Sequence, residues 1–556
     1  MIRVTLFLLC ATVLIAHDAP VKADRIFLHG NIYTGVSSAA DFQAGRAEAI
    51  AIAGDRILAI GKATDLLKLK GPATQIIELE RKFVMPGFND AHLHLAAAGM
   101  QRLTVNLAGA KSLDDFRERI RARVATAEPG EWITGGGWDH TLWPVKELPT
   151  RWDLDEVSGG HPVFLNRVDE HIAVANTRAL QLASLNLASK EPEGGWIDRD
   201  PTGAPTGILR ESAKEMVARI IPKPTHEKRR QAILAALQDM AQSGITSAQD
   251  NSDWDDFLLY EELEREGKLT ARISEWLRFD DDLATLRAHH SAHARSDNML
   301  HTGMLKGFMD GSLGSRTAAM LAPYADDPNN TGLPQYTQER LTQMTVERVN
   351  AGFQIGFHAI GDKGVQMALD AFAAAEKQSK ESNADHRLRI EHAQVTAPEQ
   401  IREFKTLKVI ASMQPNHLLT DMNWAEARLG PARAATSYAW ADFLNRGVVL
   451  AFGTDYPVEP VTPFRGLYAA VTRKSEDGKK EYFPAQKLGM EQAIAAYTRG
   501  SAFAEFAEKE KGTLAPGMLA DFVVLDRDIT AVPPSALLQT RVLRTVVGGN
   551  TVYEHK

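Results

Sequence analysis

The chain has 556 residues, of which 44% are hydrophobic and 24% are charged, and its formal net charge is -8. This length exceeds that of a small single domain and fits one large fold with a smaller satellite domain. The acidic balance and the lack of a block of Lys and Arg argue against a nucleic-acid partner.

Residues 1–23 have the pattern of a secretory signal peptide. Arg3 precedes an apolar run over 4–16, and the tripeptide VKA supplies a cleavage site of the small-x-small type. Because the run is short for a bilayer span, we expect cleavage after Ala23, export to the periplasm or the exterior, and no membrane contact afterwards. The single cysteine, Cys10, lies in this segment, so the mature chain would have no disulfide and no thiolate ligand.

The two ends of the remaining chain have a similar pattern. Apolar stretches separated by glycine turns follow the signal in ADRIFLHGNIYTG, AEAIAIAGDRILAIG and TQIIELERKFVM, and the pattern returns in GTLAPGMLADFVVLDRD. We therefore predict that residues 24–85 and 505–556 pair into one small β-sandwich domain built from both chain ends.

Residues 86–504 alternate short strand-like runs with amphipathic helical stretches. Eight such units predict an α/β fold of the (β/α)8 TIM-type barrel class. Residues 95–226 separate the first two strands and are too long for a βα loop, so they predict a structured insertion over the barrel mouth. The candidate strands are 83–89, 245–250, 272–277, 304–309, 354–360, 388–394, 409–415 and 448–454.

Several of these strands end in a residue that can bind a divalent metal. The carboxyl ends of barrel strands converge on one pocket, and imidazoles with a carboxylate suit zinc-like ions. Each residue alone has an ordinary interpretation, as a core histidine or a turn aspartate. Together they favour a metal site, since burying such a group without an ion is costly. The candidates are His92, His94, Lys306, His358, His392 and Asp455.

Lys306 is the exception in this set, because an ammonium group repels metal ions. It is either an ion-paired or surface lysine, or a neutral amine that has added CO2 to form an anionic carbamate bridging two metals. Burial lowers the pKa of a lysine and exposes its nucleophilic amine. The residues alone leave both interpretations open.

The motifs together resemble the amidohydrolase superfamily. VMPGFNDAHLHL resembles its PGF-x-D-x-H-x-H signature, and GTLAPGMLADFVVLD resembles its closing sandwich motif. KGFMDGSLGSRTA, FHAIGD, RIEHAQ, SMQPNH and FGTDYP, in that order, are similar to the branch that contains N-substituted formamide deformylase. The resemblance spans about residues 25–550. It implies a barrel with a split β-sandwich and a divalent metal site that holds one or two ions.

The resemblance also implies roles for single residues. His92 and His94 match the first-strand ligands, and Lys306 matches a carboxylated lysine. Asp455 matches the last-strand aspartate, which binds metal and acts as general base and then general acid. His417 is a candidate oxyanion donor, with a surface histidine as the alternative. The ligands of the fifth and sixth strands are matched by His358 and His392.

Three further residues are candidates for the substrate pocket. Trp138 follows a glycine run in GGGWDHTLWP, and His171 follows an acidic pair in NRVDEHIAVAN. Arg316 could meet an anionic substrate group. Core packing is the alternative for Trp138, and a local ion pair with an aspartate is the alternative for Arg316.

The function that we predict is a metal-dependent hydrolase of a small molecule, which cleaves an amide, formamide or cyclic-amide C–N bond, not a peptide bond, by metal-activated hydroxide. Zinc is the expected metal, although manganese, iron and cobalt fit the same ligands. The alternatives are a metal-dependent deaminase or an esterase on this scaffold, and a non-catalytic exported regulatory or binding protein. The sequence leaves the substrate, the number of metals and a homo-oligomer open.

Overall fold

The computed structural model describes residues 21–36, 45–140, 143–167, 172–192, 195–293, 298–380 and 384–556. Eight parallel strands pair side by side in chain order and form a nearly closed barrel, which confirms the predicted (β/α)8 fold. We number them barrel strands 1 to 8: Phe88–Leu93, Ile245–Asp250, Arg272–Arg278, Leu300–Phe308, Ile355–Ala359, Arg389–His392, Ile410–Met413 and Leu450–Phe452.

The predicted first strand, 83–89, is two strands in the structure. Phe83–Pro86 pairs antiparallel with Phe522–Leu525 outside the barrel, and barrel strand 1 begins two residues later at Phe88. Gly87 lies between them, where a Cβ atom would come within 2.2 Å of the Thr246 side chain. The chain therefore changes sheets at the Pro-Gly pair, because only a residue without a side chain fits against barrel strand 2 at this point.

Helices cover the outside of the barrel. Thr225 caps the helix His226–Gln242, since its hydroxyl accepts a hydrogen bond of 3.2 Å from the Lys228 backbone N–H. Gly99 lets the helix Leu95–Arg102 approach that helix closely. The other α-helices outside the insertion are Ala63–Leu66, Trp254–Arg265, Leu283–Ala292, Gln338–Val349, Asp362–Gln378, Pro398–Thr406, Pro415–Asp421, Ala425–Ala434, Trp440–Asn445, Pro463–Thr472, Met490–Ala495 and Ser501–Ala504. Shorter helical turns are Leu67–Leu69, Pro484–Gln486, Ala496–Gly500 and Pro534–Gln539.

The barrel is closed between its last and first strands by side chains and irregular backbone. The buried Asp90 carboxylate accepts hydrogen bonds from Thr454 N at 2.9 Å, Thr454 Oγ1 at 2.6 Å and His92 N at 3.1 Å. Asp455 N then donates to His92 O at 2.7 Å. At Gly453 a Cβ atom would lie 2.5 Å from His92 N, so this close contact requires glycine.

Strands from both chain ends share one six-stranded sheet beside the barrel. A second, four-stranded sheet faces it, and the apolar cluster that joins them includes Phe27 and Phe522, whose rings meet edge to face at 5.0 Å. The six-stranded order is Asn550–Glu554, Val542–Val547, Phe522–Leu525, Phe83–Pro86, Asn31–Tyr33 and Arg46–Ala47. The four-stranded order is Arg56–Gly61, Ala49–Ala53, Ala23–Leu28 and Lys70–Glu78.

The segment between barrel strands 1 and 2 has its own mixed sheet and its own apolar core. Its sheet order is Gly195–Arg199, Pro205–Glu211, Ile172–Ala175, Val163–Arg167, Ile133–Trp138 and Val105–Asn106. Its helices are Leu113–Val124, Arg151–Asp155, Thr177–Leu182, Ser212–Lys214 and Glu215–Ala218. Among the described residues of the whole chain, no helix combines the length and the apolar character that crossing a bilayer requires.

Replacing Asp90 with Ala should destabilise the fold, because two backbone N–H groups and the Thr454 hydroxyl would lose a buried acceptor. Each such loss costs about 1–3 kcal/mol, so we expect a decrease of about 3 kcal/mol in the free energy of unfolding. Urea unfolding of chelator-treated protein measures this without a contribution from metal. Thr454→Val, which removes one donor of the three, should cost less; an equal or larger cost would contradict this account of barrel closure.

Candidate metal centre

A cavity of about 350 Å³ opens at the carboxyl end of the barrel strands. All six predicted metal ligands line it, together with His417. The residues around it come from strand ends and from the loops that follow barrel strands 4, 7 and 8, as expected for a site in this fold. The remaining lining residues are Phe308, Ser312, Leu313, Gly314, Ile360, Gln394, Asp421, Trp424 and Val458.

His92 is held from behind by a buried carboxylate. Its Nδ1–H donates to Glu391 Oε2 at 2.8 Å, which leaves Nε2 directed at the cavity. Burial raises the pKa of Glu391, but the Arg389 charge and the hydrogen bond from His92 lower it to about 2. Arg389 Nε lies 2.6 Å from Glu391 Oε1. A carboxylate behind an imidazole fixes the ring and makes its free nitrogen a better metal ligand.

Asp455 lies at the centre of the cluster. Its Oδ1 is 3.1 Å from His94 Nε2 and 3.6 Å from His92 Nε2, and its Oδ2 is 3.0 Å from His417 Nε2. Two groups of potential ligands share it, and within each group all the ligand atoms lie within 4.8 Å of one another. Burial raises the pKa of Asp455, but the surrounding histidines lower it well below its usual range. The carboxylate is therefore anionic at neutral pH.

His358 and His392 complete the ring of imidazoles. His358 Nε2–H donates to Gly311 O at 3.1 Å, and its ring centre lies 4.4 Å from that of His392. Burial lowers the pKa of His358 to about 3 and that of His392 well below its usual value. Both rings are therefore neutral, which is the form that binds metal. His392 has a positive φ of 73°, a strained conformation that occurs often at functional sites.

Lys306 projects into the same cluster from barrel strand 4. It is 3% exposed, and its Nζ lies 3.4 Å from His92 Nε2 and about 5 Å from the rings of Trp276 and Phe308. No carboxylate of the described residues lies within ion-pair distance of it. Burial lowers the pKa of this amine to about 8, so a substantial fraction of it is neutral near physiological pH.

The donor set fits a divalent cation. His92 uses its Nδ1 proton on Glu391, so the Nε2 lone pair faces the anionic Asp455 with no proton between them. Within the described residues, the buried atoms Asp455 Oδ1 and His392 Nδ1 have no hydrogen-bond partner. Buried acceptors that face one another without protons require a cation between them. His92, His94, His358, His392 and Asp455 therefore match a metal site of nitrogen and oxygen ligands.

A larger groove adjoins this cavity but lacks its chemistry. It has a volume of about 620 Å³ and shares Lys306 and Phe308 with the cavity. Its other walls carry charged side chains such as Arg278 and Asp280, and none of the histidines lines it. The smaller cavity is therefore the candidate active site, and the groove offers it a polar approach.

The three predicted pocket residues have different surroundings. Trp138 is fully buried in the core of the insertion, where its Nε1–H donates to Leu165 O at 3.2 Å, and it does not line the cavity. Arg316 forms two hydrogen bonds of 3.0 Å with Asp326, the local pairing that was its alternative. Both side chains therefore bind other parts of the protein, and neither lines the cavity. His171 lies outside the described residues.

Sequence reasoning missed two carboxylates that act beside the ligands. Glu391 lies within the quoted motif RIEHAQ, and Asp90 lies within the quoted signature VMPGFNDAHLHL. The sequence did contain a signal for both residues, because Glu391 directly precedes His392 and Asp90 lies two residues before His92. Burial raises the pKa of Asp90 to about 7 despite its three hydrogen bonds, so its place in the barrel seam carries a desolvation cost.

The fold and this cluster together define a class: barrel proteins that hold a divalent metal at the carboxyl ends of their strands. The sequence model of the amidohydrolase family matches residues 75–553, and the chain belongs to that family. It is therefore a hydrolase of the metal-dependent kind.

Three known proteins illustrate the similarity. Protein LONG AFTER FAR-RED 3 of Arabidopsis thaliana is 34% identical over 561 residues, 96% of this chain and 92% of the plant protein. N-substituted formamide deformylase of Arthrobacter pascens is 25% identical over 552 residues, 96% of this chain and 98% of the enzyme. The crystal structure of an uncharacterized metal-dependent hydrolase from Pyrococcus horikoshii has a TM-score of 0.74 and 31% identity, covering 92% of this chain and 99% of that one.

Replacing Glu391 with Gln should weaken metal binding by about 10- to 100-fold, because His92 would lose the charge that orients it. Metal affinity can be measured by competition with a chromogenic chelator. Glu399→Gln, which removes an exposed carboxylate paired with Arg402, is the matched control and should leave affinity unchanged. Equal affinity in both variants would exclude the proposed role of Glu391, provided that circular dichroism shows both to be folded.

Proposed function

We propose that the protein hydrolyses a C–N bond in a small amide, formamide or cyclic amide. The observation that carries this proposal is the convergence of four histidines, Lys306 and Asp455 on one cavity at the barrel mouth. The similarity to N-substituted formamide deformylase over nearly the whole chain supports the same bond type. Zinc is the metal that we expect, since nitrogen and oxygen ligands in this number suit it.

A divalent cation held by the imidazoles and Asp455 would lower the pKa of a water molecule toward neutrality and polarise the substrate carbonyl. Asp455 accepts the proton of the attacking water on its carboxylate as the new C–O bond forms. It then gives this proton to the substrate nitrogen as the C–N bond breaks, so that an acid and an amine leave. Asp455 has a left-handed backbone, with φ of 60°, and its N–H donates to His92 O at 2.7 Å, which fixes it beside the first strand.

His417 is placed to assist at the same point. Its Nε2–H donates to Asp455 Oδ2 at 3.0 Å. Burial lowers the pKa of His417, but the hydrogen bond and charge of Asp455, with the charges of Asp421 and Glu459, raise it to about 9. Because the Nε2 proton is used on Asp455, the protonated ring would donate its Nδ1–H to the oxyanion that develops on the substrate carbonyl.

We also propose that Lys306 is carboxylated and bridges two ions. The contacts that support this are its burial, the lack of a carboxylate partner among the described residues, and its 3.4 Å distance to His92 Nε2. The uncharged amine forms an N–C bond with CO2 and releases one proton to solvent, and the resulting carbamate would supply an anionic oxygen ligand where the protonated lysine would be a buried cation. A deaminase that works with one metal would not need this lysine, so Lys306 favours the amide hydrolase over that alternative.

Export is a further part of the proposal. It rests on the signal-like sequence of residues 1–23, most of which lies outside the described residues. Ala23 is the first residue of the strand Ala23–Leu28, where it pairs with Lys70, so the expected cleavage after Ala23 would remove the first residue of that strand and leave Asp24–Leu28.

Replacing Asp455 with Asn should abolish hydrolysis, with a decrease in kcat of at least about 10³-fold, because the proton acceptor and donor is lost. A panel of N-acyl and N-formyl amines, assayed with the metal-loaded protein, provides the measurement. Asp370→Asn, an exposed aspartate on the helix Asp362–Gln378, is the control and should retain full activity. If the unmodified, metal-loaded protein cleaves nothing in the panel, C–N hydrolysis is not its activity.

Replacing Lys306 with Ala should remove bound metal and activity, and added formate or acetate should restore part of both by occupying the place of the carbamate. Metal analysis by mass spectrometry and the amide assay give the two readings. Lys306→Arg keeps a cation but cannot be carboxylated, so no carboxylate should rescue it. Normal metal content and activity in Lys306→Arg would overturn the carbamate proposal.

A further inference from the structure

One carboxylate in the cavity has no part in the metal cluster. Asp421 ends the helix Pro415–Asp421, which follows barrel strand 7 and also carries His417. Residues four apart on a helix lie on the same face, about 6 Å apart along the axis. His417 contacts Asp455, so Asp421 lies about one helical turn farther from the reacting atoms, on the same wall of the cavity.

Asp421 is held in place by one hydrogen bond, and the nearest favourable charge that acts on its carboxylate is that of His417, one helical turn away. Its Oδ2 accepts a hydrogen bond of 2.5 Å from the Tyr438 hydroxyl, and the residue is 6% exposed. No hydrogen bond from a described residue reaches Oδ1, and no Lys or Arg of the described chain forms an ion pair with this carboxylate. The neighbouring Glu459 differs, because Arg465 Nη1 lies 2.8 Å from its Oε2 and Thr420 donates to its Oε1. A buried carboxylate with one hydrogen bond is a costly arrangement that a bound donor would relieve.

The walls beside Asp421 are apolar. Trp424 follows it on the next turn of chain, and the backbone of Gly314 lies beside the Trp424 ring, where an added Cβ would make an ordinary van der Waals contact at 3.4 Å. Leu313 and Val458 also line this part of the cavity. The guanidinium of Arg428, which pairs with Asp326, already lies 5.8 Å from the centre of the Trp424 ring. The part of the ring that lines the cavity beside the Asp421 carboxylate remains a favourable environment for an organic ammonium group, through charge pairing and cation–π attraction.

We propose that Asp421 and Trp424 form a subsite for a protonated amine on the substrate, about one helical turn from the scissile C–N bond. The inference rests on the proposed function only for the position of that bond. The ligand class is an amide whose apolar body carries a second, cationic nitrogen. Asp421 accepts its N–H at Oδ1, Tyr438 fixes the carboxylate, and the Trp424 ring covers the cation.

The main rival is that Asp421 acts only through His417, whose positive charge it faces along the helix. The charged and titratable groups near Asp421 are His417, Glu459, Tyr438 and, through Tyr438, Tyr482. A purely positioning role would alter the turnover of every substrate alike. A subsite role affects cationic ligands selectively.

The test measures binding of two probes, benzylammonium and benzyl alcohol, to the metal-loaded protein by calorimetry. The unmodified protein should bind benzylammonium at least about tenfold more tightly than benzyl alcohol; equal binding would refute the subsite without any variant. Asp421→Asn, which retains the hydrogen bond from Tyr438, should weaken benzylammonium binding by about 10- to 100-fold and leave benzyl alcohol within twofold. Asp370→Asn serves as the control for loss of a negative charge elsewhere.

A matched pair of amides separates this inference from the proposed function. N-benzylformamide and its para-aminomethyl derivative differ only in the ammonium group. Asp421→Asn should raise KM for the cationic amide by at least about tenfold and leave KM for the neutral amide within twofold, whereas a loss of kcat through the weaker charge on His417 should be the same for both amides. Equal changes of KM for the two amides would assign Asp421 to positioning of His417 alone and refute the subsite. If neither amide is cleaved but benzylammonium binds as described, the proposed reaction is wrong and the cation subsite stands.

Discussion

The contact between the last and first barrel strands is the constraint on which the site depends. Asp90 binds both Thr454 groups, and Asp455 N donates to His92 O, so the carboxylate of Asp455 is carried to the histidine pair by the closure of the barrel itself. Without this seam, barrel strand 8 would not hold Asp455 within 3.1 Å of His94. The position of the candidate ligands is therefore a consequence of how the parallel sheet closes, and the free-energy cost of burying Asp90 is part of the cost of forming this site.

A second constraint comes from charge. The barrel interior below the cavity contains Glu391 and Arg389, fully buried and paired, and His92 connects this pair to the cavity. Arg389 and Glu391 neutralise each other before any ion binds. The free-energy cost of removing their charges from water is therefore part of folding and does not weaken metal binding. The cavity above them has several acceptors and few protons, an electrostatic arrangement that attracts a cation. Lys306 is the exception, and carboxylation would convert it from a repelling group into a ligand.

The sequence predicted the barrel and brought six candidate ligands to one cavity, because strand ends in a closed barrel have only one place to meet. It did not predict the role of Glu391, which pairs with His92 across 299 residues of chain. Such a contact depends on which side chains of barrel strands 1 and 6, which are not neighbours in the sheet, point inward at the same level, and one-dimensional spacing does not encode this. Trp138 illustrates the opposite difficulty. Its position after a glycine run made it a candidate for the substrate pocket, but in the structure its side chain is buried in the core of the insertion.

The loops explain how one ligand set can serve different substrates. The strand ends are fixed by hydrogen bonds within the barrel, whereas the wall at Gly314, Asp421 and Trp424 comes from the segments after barrel strands 4 and 7. A change at Asp421 removes a charge from this wall without breaking any contact of the barrel seam. If the two proposals hold, catalysis and specificity would occupy separate parts of the same cavity, and the helix Pro415–Asp421 would join them, because it carries His417 beside Asp455 and Asp421 one turn farther along. Recognition of a distant cation would in turn orient the amide against Asp455, because a rigid substrate anchored at one end has little freedom at the other.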